Sequence, residues 1–479
     1  MKKVKSFVIG VLVLFLALLM VKPMVWAGEE YKVTLEEWAK NKKFFDDPRP
    51  FLKELHPKKI LPPDVYAKLT YDVEAMKNLW AKVVGFRAPE VVGKIAPEIK
   101  PGHYTYKDKE KYPGFKELMT PEYYKRFNPG APPFAGNFSE IRIVPTRQYY
   151  YALPVAEATQ KNEGSSKLDD NGILKQGTYV AGFPFPRPSG KLMANQLIYN
   201  YLYRYFNYES TCYALSHSEG FSKSLRRDRH TEGDNYSLRL QGRVTMEPYG
   251  WFDERAKKKG EDKSYLVTYT APRDYVGNVV SWSIYLDPDK FNSLLFYVSA
   301  LRRVRIMTAT DLQQPGGTGD IIFADPEMYG QQLSTKIYPY KCEVISEREY
   351  LVPIVTDGSE YFSSEGAEMR NFQFERRPVY VVKMTQLDKN FVYSFRILYI
   401  DKETFLIHAI ENYDQKGRLY RSAYTLYSFV DEMGMPISSI LNLIDHLDMH
   451  STLTLMFYTP APWIGRKHTE LQGLFAKGK

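Results

Sequence analysis

Val279-Val-Ser-Trp-Ser-Ile-Tyr-Leu-Asp-Pro-Asp-Lys-Phe-Asn-Ser-Leu-Leu-Phe-Tyr-Val298 reads as two strands joined by a turn. In its first half Trp282, Ile284 and Leu286 alternate with Ser281, Ser283 and Tyr285. That is the period of two that puts apolar side chains on one face of a strand. Asp287-Pro288-Asp289 supplies the turn chemistry. In the second half Leu294, Phe296 and Val298 oppose Leu295 and Tyr297, so both faces are apolar, as in an inner strand covered on two sides.

Working outward, the same reading places strands at 236–246, 264–270, 279–286, 294–298, 303–308, 338–345, 379–384, 393–400, 404–411, 419–429 and 451–458. Strands at short spacing without intervening helices predict an antiparallel meander. So many strands must curl, close or stack. The expected fold class is mainly β (α+β): a strongly curved antiparallel sheet or half-open β-barrel, with covering helices and an irregular N-terminal extension. Ser189 is positioned to cap a helix running to about Phe206, on which Met193, Leu197, Ile198, Tyr201, Leu202, Tyr205 and Phe206 form one apolar face. That face either lines a cavity or packs on the back of the sheet. Residues 28–135 carry repeated Pro and Gly and read as extended, partly helical chain draped over something else. The expected organisation is 1–27 signal peptide, 28–135 extension, 136–468 main domain and 469–479 tail.

The N-terminus shows Lys2, Lys3 and Lys5, an apolar run from Phe7 to Val21, and Val25-Trp26-Ala27 as a cleavage site. This is the pattern of a secretory signal. The run is shorter than the ~20 residues of a spanning helix. No Cys follows it, which argues against a lipid anchor. Loss of Lys2, Lys3, Lys5 and Lys22 takes the formal net charge from +9 to +5. So small an excess, without a stripe of cations among stacking aromatics, excludes a nucleic-acid partner. The 38 Tyr and 27 Phe suit half-wet grooves, and equally suit strands. Whether Cys212 and Cys342 form a disulfide stays open.

Enzyme constellations are missing from the sequence. There is no GxSxG elbow, no GxxxxGK and no GxGxxG after a strand. Gly316-Gly-Thr-Gly319 reads as a flexible loop. His446, Asp448 and His450 would share a face if extended and are the best metal candidates, against the plainer reading of a solvated turn. The expectation is a non-enzyme with no metal and no cofactor. For binding, Trp282, Ile284, Phe296, Tyr297, Met193, Tyr201 and Tyr205 are the candidate ligand-lining residues. Arg302, Arg303 and Arg305, on the return of the second hairpin, are candidates for a head group or a partner's carboxylates, against the plainer reading of a solvated strand face.

Phe296-Tyr-Val-Ser-Ala-Leu-Arg-Arg-Val-Arg305 resembles a hairpin of outer-membrane lipoprotein-sorting-like proteins, a group that shares the fold of the carriers LolA and LolB. Gly316-Gly-Thr-Gly-Asp-Ile-Ile-Phe-Ala-Asp325, Tyr399-Ile-Asp-Lys-Glu-Thr404 and Tyr413-Asp-Gln-Lys-Gly417 resemble later pieces in the same order. Ile143-Val-Pro-Thr-Arg147, Gly182-Phe-Pro-Phe-Pro186 and Pro272-Arg-Asp-Tyr-Val-Gly-Asn278 are similar to one branch known as a domain of unknown function. The resemblance covers about residues 85–460 and lies in the order of the motifs. It implies a half-open barrel in the bacterial periplasm, associated with the outer membrane, holding a lipid or other hydrophobic molecule. It also implies service to an inner-membrane exporter of the resistance-nodulation-division type together with an outer-membrane protein. The alternatives are a structural or interaction protein of the envelope with a self-filled barrel, and a periplasmic hydrolase.

Overall fold

The computed structural model describes residues 56–129, 137–224, 226–307, 313, 322, 325, 332–355 and 372–472. The export signal, the Gly316–Gly319 loop and most of the C-terminal tail lie outside the described residues. Among those described, fifteen strands form a single sheet. They are β1 Gly102–Thr105, β2 Glu140–Val144, β3 Ser210–Phe221, β4 Arg227–Arg239, β5 Glu261–Ala271, β6 Val279–Tyr285, β7 Ser293–Val298 and β8 Arg303–Met307. There follow β9 Tyr340–Ile354, β10 Phe372–Gln386, β11 Tyr393–Asp401, β12 Ile407–Asp414, β13 Leu419–Val430, β14 Met435–Asp445 and β15 His450–Pro460. The strand order is β1-β2-β10-β11-β12-β13-β14-β15-β3-β4-β5-β6-β7-β8, with β9 on the other edge of β10. All pairs are antiparallel except β2 with β10.

This corrects the expected half-open barrel. A barrel needs its first and last strands to pair. Among the described residues β8 pairs with β7 alone, β1 with β2 alone and β9 with β10 alone, so the sheet does not close on itself. The fold is mixed α/β around a large, mostly antiparallel sheet. Its middle is not the wall of a lumen, because both faces are buried under the protein's own layers. On one face Val381, Tyr399, Tyr424, Leu426, Leu453 and Leu455 pack with Phe115, Leu118, Tyr123, Phe127 and Phe138 from the N-terminal segment. Each fully buried Phe of that layer contributes roughly 1.5–3 kcal/mol. On the other, Val382, Met384, Leu398, Ile400, Ile410 and Leu443 meet α1 (Val73–Val84), α2 (Leu153–Lys161) and α3 (Met193–Leu202). Neighbouring residues such as Val381 and Val382 enter opposite cores, as strand pleating requires. None of the helices in the described residues is long and apolar enough to cross a membrane.

The predicted helix is shorter than its apolar pattern. Ser189 lies outside it and donates its backbone N–H to Gln196 Oε1 at 2.7 Å. The helix ends at Leu202, and Tyr205 beyond it ties two loops together: its Oη donates to the Gly242 carbonyl at 2.6 Å and accepts from Gly182 N–H at 2.8 Å. Gly182 has φ +81°, and a Cβ there would meet the Thr159 backbone at 2.5 Å, so the Gly182–Pro186 motif is a close-packed joint. Phe183, in that joint, stacks among Trp80, Tyr151 and Phe405.

Candidate functional site

Two adjoining cavities lie toward the β3–β6 end of the sheet; others lie beside Arg147, Tyr149 and Phe429 and beside His103 and Glu140. The mouth of the larger of the adjoining two is set by α4 (Glu254–Lys259). Asp253 caps that helix, accepting from Ala256 N–H at 2.7 Å, and Gly260 ends it in the left-handed region. Arg466 pins the cap, reaching Asp253 Oδ1 at 2.8 Å and Glu261 Oε2 at 2.6 Å. This presents Lys257, Lys258 and Lys259 at the rim of a cavity of 490 Å³, along with Lys175 and Lys290. Its wall includes Tyr179, Tyr199, Tyr203, Tyr285, Ile284 and Leu333.

A second cavity of 230 Å³ adjoins it. Tyr205, Phe206, Val280, Trp282, Leu441 and Met456 make most of its lining apolar. Arg204, Lys263 and Tyr265 line both cavities and mark their junction. The Arg204 guanidinium is sandwiched between the Tyr201 and Phe206 rings at 3.8 and 3.9 Å and donates to the Tyr201 carbonyl at 2.8 Å. Arg239 underlies it, donating to the carbonyls of Arg204, Tyr203 and Gln241 and resting on the Tyr205 ring. Lys263 is 13 % exposed; its ammonium donates to the Leu202 carbonyl at 2.7 Å and lies 3.4 Å from Asp262 Oδ2. Desolvation, with Arg239 and Arg204 nearby, pulls Lys263 down to about 8 against the opposing pull of Asp262. Glu209 also borders the smaller cavity, but its carboxylate is consumed by the backbone N–H groups of Val244, Thr245 and Met246. The linings of the two cavities hold no His and no Cys.

The sequence-predicted residues scatter around this site. Trp282 and Tyr205 line the small cavity and Ile284 the large one. Phe296 packs beside Trp282 on the same sheet face, whereas Tyr297 is on the opposite face with Leu266 and Val279. Met193 and Tyr201 pack into the core beneath α3. Arg302, Arg303 and Arg305 stand exposed on the hairpin to the edge strand β8, away from both cavities. His446, Asp448 and His450 do not converge: the first two sit in the turn from β14 to β15 and His450 opens β15, and Met449 between them adopts φ +58° and breaks the extended alignment. There His446 Nε2 meets Ser422 Oγ at 2.9 Å and burial pulls its imidazole down to about 3. Among the described residues no three His, Cys, Asp or Glu side chains group as metal ligands. Cys342 is a free thiol pushed up to about 12 by burial; the Cys212 side chain lies outside what is described. Sequence reasoning misses Lys263, Arg204 and the lysine run. A signal for the last of these is present in Lys257-Lys-Lys-Gly260, a cationic last helical turn closed by glycine.

The family model described as Protein of unknown function (DUF1329) matches residues 115–471. The chain belongs to this family. A crystal structure of a DUF1329 family protein from Desulfovibrio piger ATCC 29098 is 14% identical, covering 56% of this chain and 91% of that one, with a TM-score of 0.39. A provisionally assigned outer membrane lipoprotein-sorting protein domain from Vibrio parahaemolyticus is 15% identical over 55% and 90%, at 0.37. A LolA superfamily protein from Nitrosomonas europaea is 11% identical over 55% and 91%, at 0.34. These are distant structural resemblances. No curated protein matches the chain.

Proposed function

We propose that this DUF1329 member is a non-enzymatic binding or carrier protein of the cell envelope that holds a lipid or other hydrophobic molecule in the paired cavities. The observation that carries this reading is the small cavity: Phe206, Val280, Trp282 and Met456 border 230 Å³ that the protein's own side chains leave unfilled, beside a chamber of 490 Å³. Space lined in this way favours an apolar guest, at about 25 cal/mol per Å² of surface withdrawn from water. The export pattern of residues 1–27 supports work in the periplasm. On this reading the partners are membrane or envelope proteins, and in its finer form an inner-membrane exporter of the resistance-nodulation-division type and an outer-membrane protein.

Protein purified without detergent is expected to carry lipid in native mass spectra and to take up the neutral fluorophore N-phenylnaphthylamine. An empty protein that ignores the fluorophore would end the carrier reading. It would favour the second one, a structural or interaction protein, for which the self-filled middle of the sheet speaks.

A further inference from the structure

We infer that the guest is an anionic amphiphile, its oxyanion head seated on Lys263 and Arg204 at the junction of the cavities and its tail in the smaller one; this rests on, and deepens, the binding reading above. The first support is a charge imbalance in a sheltered place. Among the described residues, Arg204, Arg239 and Lys263 cluster there with two carboxylates, Asp262 and Glu209. Glu209 is committed to three backbone donors, and Asp262 accepts from Gln241 Nε2 at 2.9 Å. Buried cations are ordinarily matched by anions, since desolvating an unmatched charge costs several kcal/mol. The second support is donor capacity. An ammonium has three donors; Leu202 and Asp262 engage two on Lys263, which leaves one for a ligand. Third, the described lining of the large cavity holds six lysines against two carboxylates, Asp262 and Asp287, so the approach attracts anions. Finally, the apolar chamber opens directly beside this junction, placing a tail where only the head is charged. A carboxylate and a phosphate monoester both satisfy this chemistry.

Calorimetric titration of the full mature chain with dodecanoate, dodecyl phosphate, dodecanol and dodecyltrimethylammonium, each below its aggregation concentration, tests the idea. At least one anion should bind about ten-fold or more tighter than dodecanol, and the better anion identifies the head group. Lys263→Met should erase most of that preference while leaving dodecanol binding in place, and Lys263→Arg should restore it. A purely structural lysine would instead weaken all four ligands together. If Lys263→Met does not fold, the wild-type contrast between anion and alcohol decides alone. Dodecanol or the ammonium binding as tightly as the anions overturns the inference and leaves the binding reading standing. If none of the four binds, the binding reading falls.

Discussion

The middle of the sheet and its β3–β6 end handle buried charge in opposite ways. In the middle Arg377 is fully buried, and its guanidinium donates to Asp401 Oδ2 at 2.7 Å, Glu403 Oε2 at 2.7 Å and Glu375 Oε1 at 3.1 Å. Each guanidinium nitrogen faces a carboxylate, and Arg377 itself lines neither cavity of the β3–β6 end. At the other end, cations outnumber carboxylates and line open space. A buried cation met by a carboxylate at each nitrogen holds a fold together. A sheltered, under-compensated one next to a cavity is arranged to meet something from outside.

The largest expected effect breaks the middle of the sheet. Arg377→Met strands three carboxylates, at a cost of about 3–5 kcal/mol, and chemical denaturation should show a protein unfolded or nearly so. Desolvation alone would raise the Asp401 carboxyl, but Arg377 and His408 hold it well below the usual carboxylate range. Its contribution is therefore present above its unfolded value and is lost as pH falls through the folded one. In the open region Val280→Trp should fill the small cavity and abolish uptake of N-phenylnaphthylamine, with an overpacking cost of about 1–3 kcal/mol in a melt. Intact uptake would move the guest elsewhere.

Glu411→Gln sharpens the contrast from the middle. Burial pushes Glu411 up to about 7, partly opposed by hydrogen bonds from Tyr413 and Tyr399. A carboxyl raised from 4.5 stabilises the fold while protonated and loses that contribution as pH climbs through 7. The variant should thus gain on the order of 1–3 kcal/mol at pH 8 and show a flatter pH profile of stability. Lys263→Met makes the matching test at the open end. The charged lysine, with Asp262, Arg204, Arg239, Tyr203 and Tyr265 around it, is disfavoured by the fold below about pH 8, a penalty relieved as pH rises toward 10.5. Replacing it should leave stability at pH 7 unchanged or higher, by up to about 3 kcal/mol. A marked loss would class Lys263 with Arg377 as a structural charge. The smallest effect is expected for Arg302→Ser with Arg303→Ser and Arg305→Ser: melting within about 0.5 kcal/mol of wild type and unchanged ligand binding, since these side chains are exposed and line neither cavity.

Strands with clean alternation or dense apolar content are legible in the amino-acid sequence. β6, β7 and β11 begin at or within a residue of their expected positions. β3, β14 and most of β4 are not legible in this way. β3 is Ser-Thr-Cys-Tyr-Ala-Leu-Ser-His-Ser-Glu-Gly-Phe, and β4 begins with the polar run Arg227 to Asn235. β14 mixes Pro436, Ser438, Ser439 and Asn442 yet is buried along its whole length. Such strands hold their place through neighbours on both edges, and period-two patterning carries no trace of that. The site is hidden for the same reason. Trp282 and Tyr205 announce themselves as bulky groups, but Lys263 looks like any strand lysine until β4 and β5 place it next to Arg204.

The amino-acid order alone determined the β-rich character, the apolar face of α3 and the lack of local catalytic motifs, because these follow from spacing within a few residues. Only the tertiary structure decided that the sheet stays open, that its middle is filled from both sides, and that cations more than fifty residues apart share one sheltered junction. Those outcomes depend on which edges pair and which faces are covered, and long-range pairing leaves no periodic mark in the chain.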